Sequence, residues 1–119
     1  MQSSNVALRG GMPDALNMSV VSAGKRKIVG EMHISDTHMN RSGRVNGGAL
    51  MAFADMLGAA GTVANLPPHH RTTTLESKTN FFAGGVGPVL SGVSRPLHIG
   101  RTTMVWQTTI TNPAPDGRV

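Results

Sequence analysis

Asp55 is the residue whose surroundings ask for a chemical explanation. It closes the stretch His38 to Asp55, HMNRSGRVNGGALMAFAD, in which a polar loop and the pair Gly47-Gly48 open a run of apolar residues. Leu50, Met51, Ala52, Phe53, Ala54, Met56 and Leu57 are its neighbours in sequence. On a helix of that composition no polar face remains for a carboxylate, and a buried carboxylate is costly unless hydrogen-bonded or paired. An acid kept in such a place is a candidate for catalysis. The competing account is a structural acid satisfied by a hydrogen bond to a neighbouring element.

No second cluster of reactive side chains competes with it. The chain has five histidines. His69-His70 follow Pro67-Pro68 and read as a solvent-exposed pair, while His33 falls within an expected strand. His38 begins the polar loop and His98 precedes Gly100-Arg101, so both are placed to line a ligand channel without being catalytic. No His/Asp/Glu spacing suggests a metal site, and no Ser-His-Asp set is apparent, so neither metal nor cofactor is expected. Cysteine is absent, which removes disulfides, thiolate nucleophiles and cysteine-ligated metals together.

The elements that must position Asp55 follow from pattern. Residues 1–13 have no periodicity and read as a flexible segment; residues 14–119 read as one domain. A strand is expected from about Ala15 to Ala23, then a turn at Gly24-Lys25, then a second strand from Lys27 to Ser35. There Ile28, Gly30, Met32 and Ile34 alternate with Val29, Glu31 and His33. Residues 36–46 form a polar loop. A helix should run from Gly47 to Asn65 and stop at Pro67-Pro68, because proline removes a donor and pushes its predecessor out of the α region. Apolar residues fall around most of its circumference, as in a helix surrounded by protein, and Gly58 and Gly61 permit another backbone to come close. Strands follow from Thr72 to Phe82, Val89 to Pro96 and Thr102 to Thr111, with Met104, Trp106 and Ile110 alternating against Gln107, Thr109 and Thr111. Short connections imply antiparallel neighbours. Asp116-Gly117 is a strong hairpin signal with no return strand behind it. Truncation of a longer protein is the favoured expectation, and an exposed edge inviting another chain is the alternative.

Composition narrows the function classes. At 119 residues and 39% hydrophobic content the chain sits at single-domain size. No apolar run approaches the ~20 residues of a membrane span, and the N-terminus lacks the apolar centre of a secretory signal, so a cytoplasmic protein is expected. The chain carries 11 Lys+Arg against 6 Asp+Glu. These charges are dispersed, and the one cluster, Lys25-Arg26-Lys27, sits at a turn. Nucleic-acid binding is therefore not expected; a polyanionic small molecule accounts for the basic balance equally well.

The pattern from Asn40 through Asp55, the Thr74-to-Phe82 strand and His98-Ile99-Gly100-Arg101-Thr102 together resemble the PaaI-like branch of the hot-dog-fold acyl-CoA thioesterases, from Met12 onward. The resemblance implies an α+β fold in which an antiparallel sheet wraps one long central helix, here with the C-terminal strand apparently missing. It implies a homodimer or homotetramer with active sites between subunits, and an acyl-CoA substrate. It assigns Asp55 as nucleophile or general base from one subunit, and the Gly47 N–H as the donor to the thioester carbonyl from the other. That donor role is physically sound, since a helix N-terminus presents unpaired N–H groups and a favourable dipole. Asn40 matches the loop asparagine that orients the carbonyl or water, and Thr74 falls, within about one residue, on the hydroxyl position that holds the attacking water. Asn46 stands where the family has histidine; it can cap a helix but cannot titrate near neutrality.

Asn46, Gly48, Arg101, Phe81 and Phe82 complete the expected substrate-binding set. Arg101 is the first choice for a CoA phosphate, with Arg71 and Arg41 behind it. Met51, Ala54 and Leu57 with Phe81 or Phe82 would form the acyl pocket. Taken singly, Asn40 is a turn residue, Gly47 and Gly48 are conformational punctuation, and Thr74 is a strand residue. Two other functions fit the same pattern: a hot-dog hydratase, for which Asp55 lacks a histidine partner, and a non-catalytic acyl-CoA-binding module, favoured by Asn46.

Overall fold

The structure, a computed structural model, describes residues 10–113. The expected Asp116-Gly117 turn, and residues 1–9 of the expected flexible segment, lie outside that range. A short helix α1 (Gly11–Ala15) leads into strands β1 (Met18–Ala23) and β2 (Ile28–His33). A 3-10 turn (Asp36–His38), the long helix α2 (Gly47–Asn65), and strands β3 (Val89–Ile99) and β4 (Met104–Thr111) follow. The strands form one antiparallel sheet in the order β1-β2-β3-β4, with α2 laid across it.

Helix α2 has the bounds its sequence dictates. Asn46 caps it, its Oδ1 accepting the Gly48 N–H at 2.8 Å. Beyond Asn65 the chain turns extended at Leu66, ahead of the two prolines. The Asn65 side chain donates to the Gly61 carbonyl at 2.9 Å and to the Lys25 carbonyl at 2.8 Å, tying the helix end to the β1–β2 turn.

The contact between helix and sheet is written in two glycines. The β2–β3 register pairs Gly30 with Gly92. A Cβ on either would sit 2.5 Å from the Leu57 side chain, and Phe53 would be within 3.4 Å of the first and 3.1 Å of the second. The paired glycines thus form a depression that Leu57 and Phe53 fill, both at 0% exposure. Burial of each is worth about 1.5–3 kcal/mol. Gly58 and Gly61 do the reverse: they admit the Trp106 indole of β4, which a Cβ on Gly61 would meet at 2.6 Å. The close approach expected there is made by a side chain rather than by backbone.

Several expectations need correction. Helix α1 replaces part of the flexible segment, stabilised by the Asp14 carboxylate accepting the Gly10 N–H at 3.1 Å and by Pro13 in the first turn, where proline is tolerated. Residues 72–82 are not a strand. Their composition suits one, but a strand exists only through ladder partners, and β4 pairs with β3 alone. The far end of this segment is nonetheless fixed: the Val45 N–H donates to the Gly85 carbonyl at 2.7 Å, and Asn112 binds the Val86 N–H at 2.9 Å and the Gly84 carbonyl at 3.0 Å.

Because no strand among the described residues closes over it, α2 is not enclosed by them. Its buried residues, Ala49, Leu50, Phe53, Met56, Leu57 and Gly61, form one stripe, while Met51, Val63 and Ala64 are exposed. By length and composition α2 is also apolar enough to cross a bilayer, contrary to the expectation from apolar runs. Its buried stripe, packed on the sheet, accounts for much of that apolarity.

Candidate active site

The unburied side of α2 faces an open cleft of about 1900 Å³, bounded by β4 and the β3–β4 turn on one side and by residues 70–83 on the other. Its helical wall includes Leu50, Ala54, Asp55, Gly58, Ala59 and Thr62. The spacing of these residues brings them onto one flank of the helix, and all but Leu50 and Asp55 are small enough to leave room for a ligand.

Asp55 lies in this cleft, exposed, with its Oδ1 accepting a 2.7 Å hydrogen bond from the Thr74 hydroxyl. The carboxylate is therefore not buried among its apolar neighbours: they turn toward the sheet, and it turns toward the opening. A hydroxyl bonded to one carboxylate oxygen orients the group and leaves the other oxygen for a water or a carbonyl carbon. Arg101, in the β3–β4 turn, and Arg71 line the same cleft and are exposed, as are Phe81 and Phe82, the latter at 93%.

The remaining candidates cluster at the opening of α2, away from Asp55. Asn40 uses its side-chain oxygen to accept the N–H groups of Ser42 at 2.8 Å and Arg44 at 3.0 Å, closing a tight turn. Only its amide N–H₂ could turn to a substrate. Asn46 is committed to the cap, and Gly48 donates to it. The Phe81 ring sits 3.5 Å from where a Gly47 Cβ would be, so an aromatic edge lies over the first helical residue. Gly47 precedes Asp55 by eight residues, which at the helical rise of about 1.5 Å per residue separates them by about 12 Å along the axis. Within one chain they cannot hold the same reacting carbon.

Some of the other expected residues fall outside the cleft. Leu57 belongs to the sheet contact and Met51 lies outside the cleft, so only Ala54 of the three expected helical pocket residues faces it. Arg41 also lies outside it. His33 pairs with Glu31 at 3.3 Å on an exposed surface, and His69, His70 and His98 are exposed. Among the described residues no group of His, Cys, Asp or Glu could hold a metal ion.

His38 does not line a channel: it is 1% exposed and hydrogen-bonded at both ring nitrogens. The S-x-x-H spacing of Ser35 and His38 was the available signal for that. Trp106 carries a buried indole N–H with no partner among the described residues, for which no sequence signal existed.

Residues 42–116 match the family described as Thioesterase superfamily. The chain belongs to that superfamily. Membership makes it a thioester hydrolase, and the exposed carboxylate in an open cleft is in keeping with that chemistry. A 1,4-dihydroxy-2-naphthoyl-CoA hydrolase of Listeria monocytogenes is 24% identical over 102 residues, covering 86% of this chain and 83% of the relative. A thioesterase of Pseudomonas aeruginosa superposes with a TM-score of 0.87 at 22% identity, over 98% of this chain and 84% of that one. A phenylacetic acid degradation-related protein of Ralstonia eutropha does so with a TM-score of 0.82 at 19% identity, over 92% and 87%. These likenesses establish the hot-dog thioesterase fold for the superfamily member described here.

Proposed function

We propose that this chain hydrolyses an acyl-CoA thioester to the free acid and CoA at a site shared by two subunits. The observation that carries the proposal is the Asp55 carboxylate, held by Thr74 on the open flank of α2, about 12 Å along the helix from its own Gly47. In this mechanism Asp55 removes a proton from water, or attacks directly, and a C–O bond forms at the thioester carbon. The carbonyl oxygen becomes an oxyanion, which the Gly47 N–H of a second subunit stabilises from the start of its helix. Collapse breaks the C–S bond and the thiolate leaves as CoA: with water as nucleophile it takes up the proton that Asp55 removed, and after direct attack a water hydrolyses the acyl–Asp55 anhydride, which releases the free acid, restores the carboxylate and supplies the thiolate's proton. The separation of Asp55 and Gly47 supports a homodimer, or a homotetramer built from such dimers, as the active form.

Arg101 is the proposed contact for a CoA phosphate, with Arg71 of the same cleft as the second candidate; guanidinium groups suit phosphate geometry. Phe81 and Phe82, exposed in the single chain, are the proposed acyl contacts, and two aromatic rings favour an aromatic acyl group. The Listeria relative acts on such a thioester by name, which supports the same class and the PaaI-like branch here. Residues 14–119 are the proposed domain and the cytoplasm the proposed location.

The test is thiol release from short aliphatic, long aliphatic, phenylacetyl and hydroxybenzoyl CoA thioesters, with Asp55→Asn beside the parent. Turnover by the parent, lost in a folded Asp55→Asn, supports the proposal. A folded parent that binds CoA and releases no thiol makes the chain a binding module, for which Asn46 is then the leading cause.

A further inference from the structure

His38 is the most completely engaged side chain outside the cleft. It ends the 3-10 turn and is 1% exposed. Its Nδ1 faces the Ser35 backbone N–H at 3.0 Å, and its Nε2 faces the Leu16 carbonyl. The first partner can only donate and the second can only accept. These partners call for an acceptor at Nδ1 and a donor at Nε2, and the Ser35 hydroxyl also lies 3.1 Å from Nδ1. Ser35 and His38 form a reciprocal capping box, which fixes the turn and with it the direction of the His38 carbonyl. That carbonyl accepts the Asn46 N–H at 2.7 Å. Asn46 in turn caps α2, its carbonyl receiving Ala49 at 3.0 Å and Leu50 at 3.2 Å. Gly47 is the next residue.

We infer that His38 is the positioning residue of the helix opening: through the Ser35 capping box its backbone sets where the Gly47 N–H points, and its imidazole never meets substrate. The inference rests on the proposed donor role of Gly47. Two partial replacements divide the two bonds of the ring. In His38→Asn an amide oxygen occupies the place of Nδ1 and keeps the Ser35 bond; in His38→Gln an amide nitrogen reaches the place of Nε2 and keeps only the Leu16 bond. The capping box leads to Gly47 and the Leu16 bond leads to α1, so only the loss of the first should reach the chemistry.

The experiment measures kcat and KM for the best thioester of the panel, together with the position of the Gly47 amide resonance, in the parent, His38→Asn, His38→Gln and His38→Phe. Unfolding midpoints, followed by the fluorescence of the lone Trp106, control for folding. Expected are a loss of about tenfold in kcat for His38→Gln and His38→Phe with KM within about twofold, and a shifted Gly47 amide in both. His38→Asn, although destabilised, should restore kcat to within about threefold and return the amide to its parent position. Equal kcat losses in His38→Asn and His38→Gln, with the Gly47 amide unmoved in both, would overturn the inference and leave His38 a core histidine. A parent that hydrolyses nothing sinks the thioesterase proposal; the amide resonance then decides the positioning role without turnover.

Discussion

The two flanks of α2 are built on opposite plans. On the sheet side, Leu57 and Phe53 drop into the depression made by Gly30 and Gly92, with a Cβ excluded at 2.5 Å. On the cleft side, Ala54, Gly58 and Ala59 leave space, and the wall opposite is a segment with no ladder. One helix thus spends its large residues on stability and its small ones on access. Asp55 is tolerated because it belongs to the second side. The contrast also explains the glycines: Gly58 and Gly61 seat the Trp106 ring between the two regimes, where β4 meets the cleft.

Substitutions on each side should therefore fail differently. Asp55→Asn is expected to lower kcat by about 10²–10⁴-fold, the range for loss of a general base or nucleophile. The unfolding midpoint should stay within experimental error, since Asp55 is exposed. A large change in stability with a modest change in rate would place Asp55 on the structural side instead. Gly92→Val is the mirror experiment. With Leu57 and Phe53 at van der Waals limits, a branched side chain there should cost about 3 kcal/mol or prevent folding, as overpacked cores do. Denaturant unfolding reads this directly, and a loss under 1 kcal/mol would mean the helix can slide off the glycine pair. Gly61→Ala tests the border. Alanine gains about 1 kcal/mol of helix propensity but meets the indole, so a net loss of about 1–2 kcal/mol is expected. Net stabilisation would show that Trp106 is free to move.

What could be read from the residues divides along the same line. The bounds of α2 were legible because local chemistry sets both ends, Asn46 at the start and Pro67-Pro68 after the finish. The inward alternation of Ile28, Gly30 and Met32 was legible because a period of two survives any packing. Thr72 to Phe82 was misjudged because strand character lies in the neighbour as much as in the segment, and no neighbour is encoded locally. The burial of Asp55 was misjudged for a related reason: apolar residues in sequence predicted apolar surroundings in space, whereas the sheet covers only one flank. Neighbourhood on a helix is a matter of angle. His38 was read as a channel residue because its partner Leu16 lies 22 residues away along the chain, a contact that no local pattern encodes.

The cleft side can be sharpened further through Thr74. Thr74→Val keeps the shape and removes the hydroxyl that orients Asp55. A hydrogen bond to an exposed carboxylate is modest, so a drop of about tenfold in kcat, with KM little changed, is the expected reading. A rate equal to the parent's would mean that Asp55 finds its geometry unaided.

The smallest expected effect is the most discriminating for the helix opening. Asn46→Asp preserves the cap, because aspartate and asparagine serve about equally at that position, and a negative charge at a helix N-terminus is favourable. Stability should hold or rise by a few tenths of a kcal/mol. The same charge stands beside the Gly47 N–H, where an oxyanion is proposed to form in the transition state, and like charges at that distance repel. The rate should then fall by about fivefold while the protein becomes no less stable. A capping role alone predicts unchanged turnover, so stability and kcat moving apart is the signature that this helix start does chemistry as well as structure.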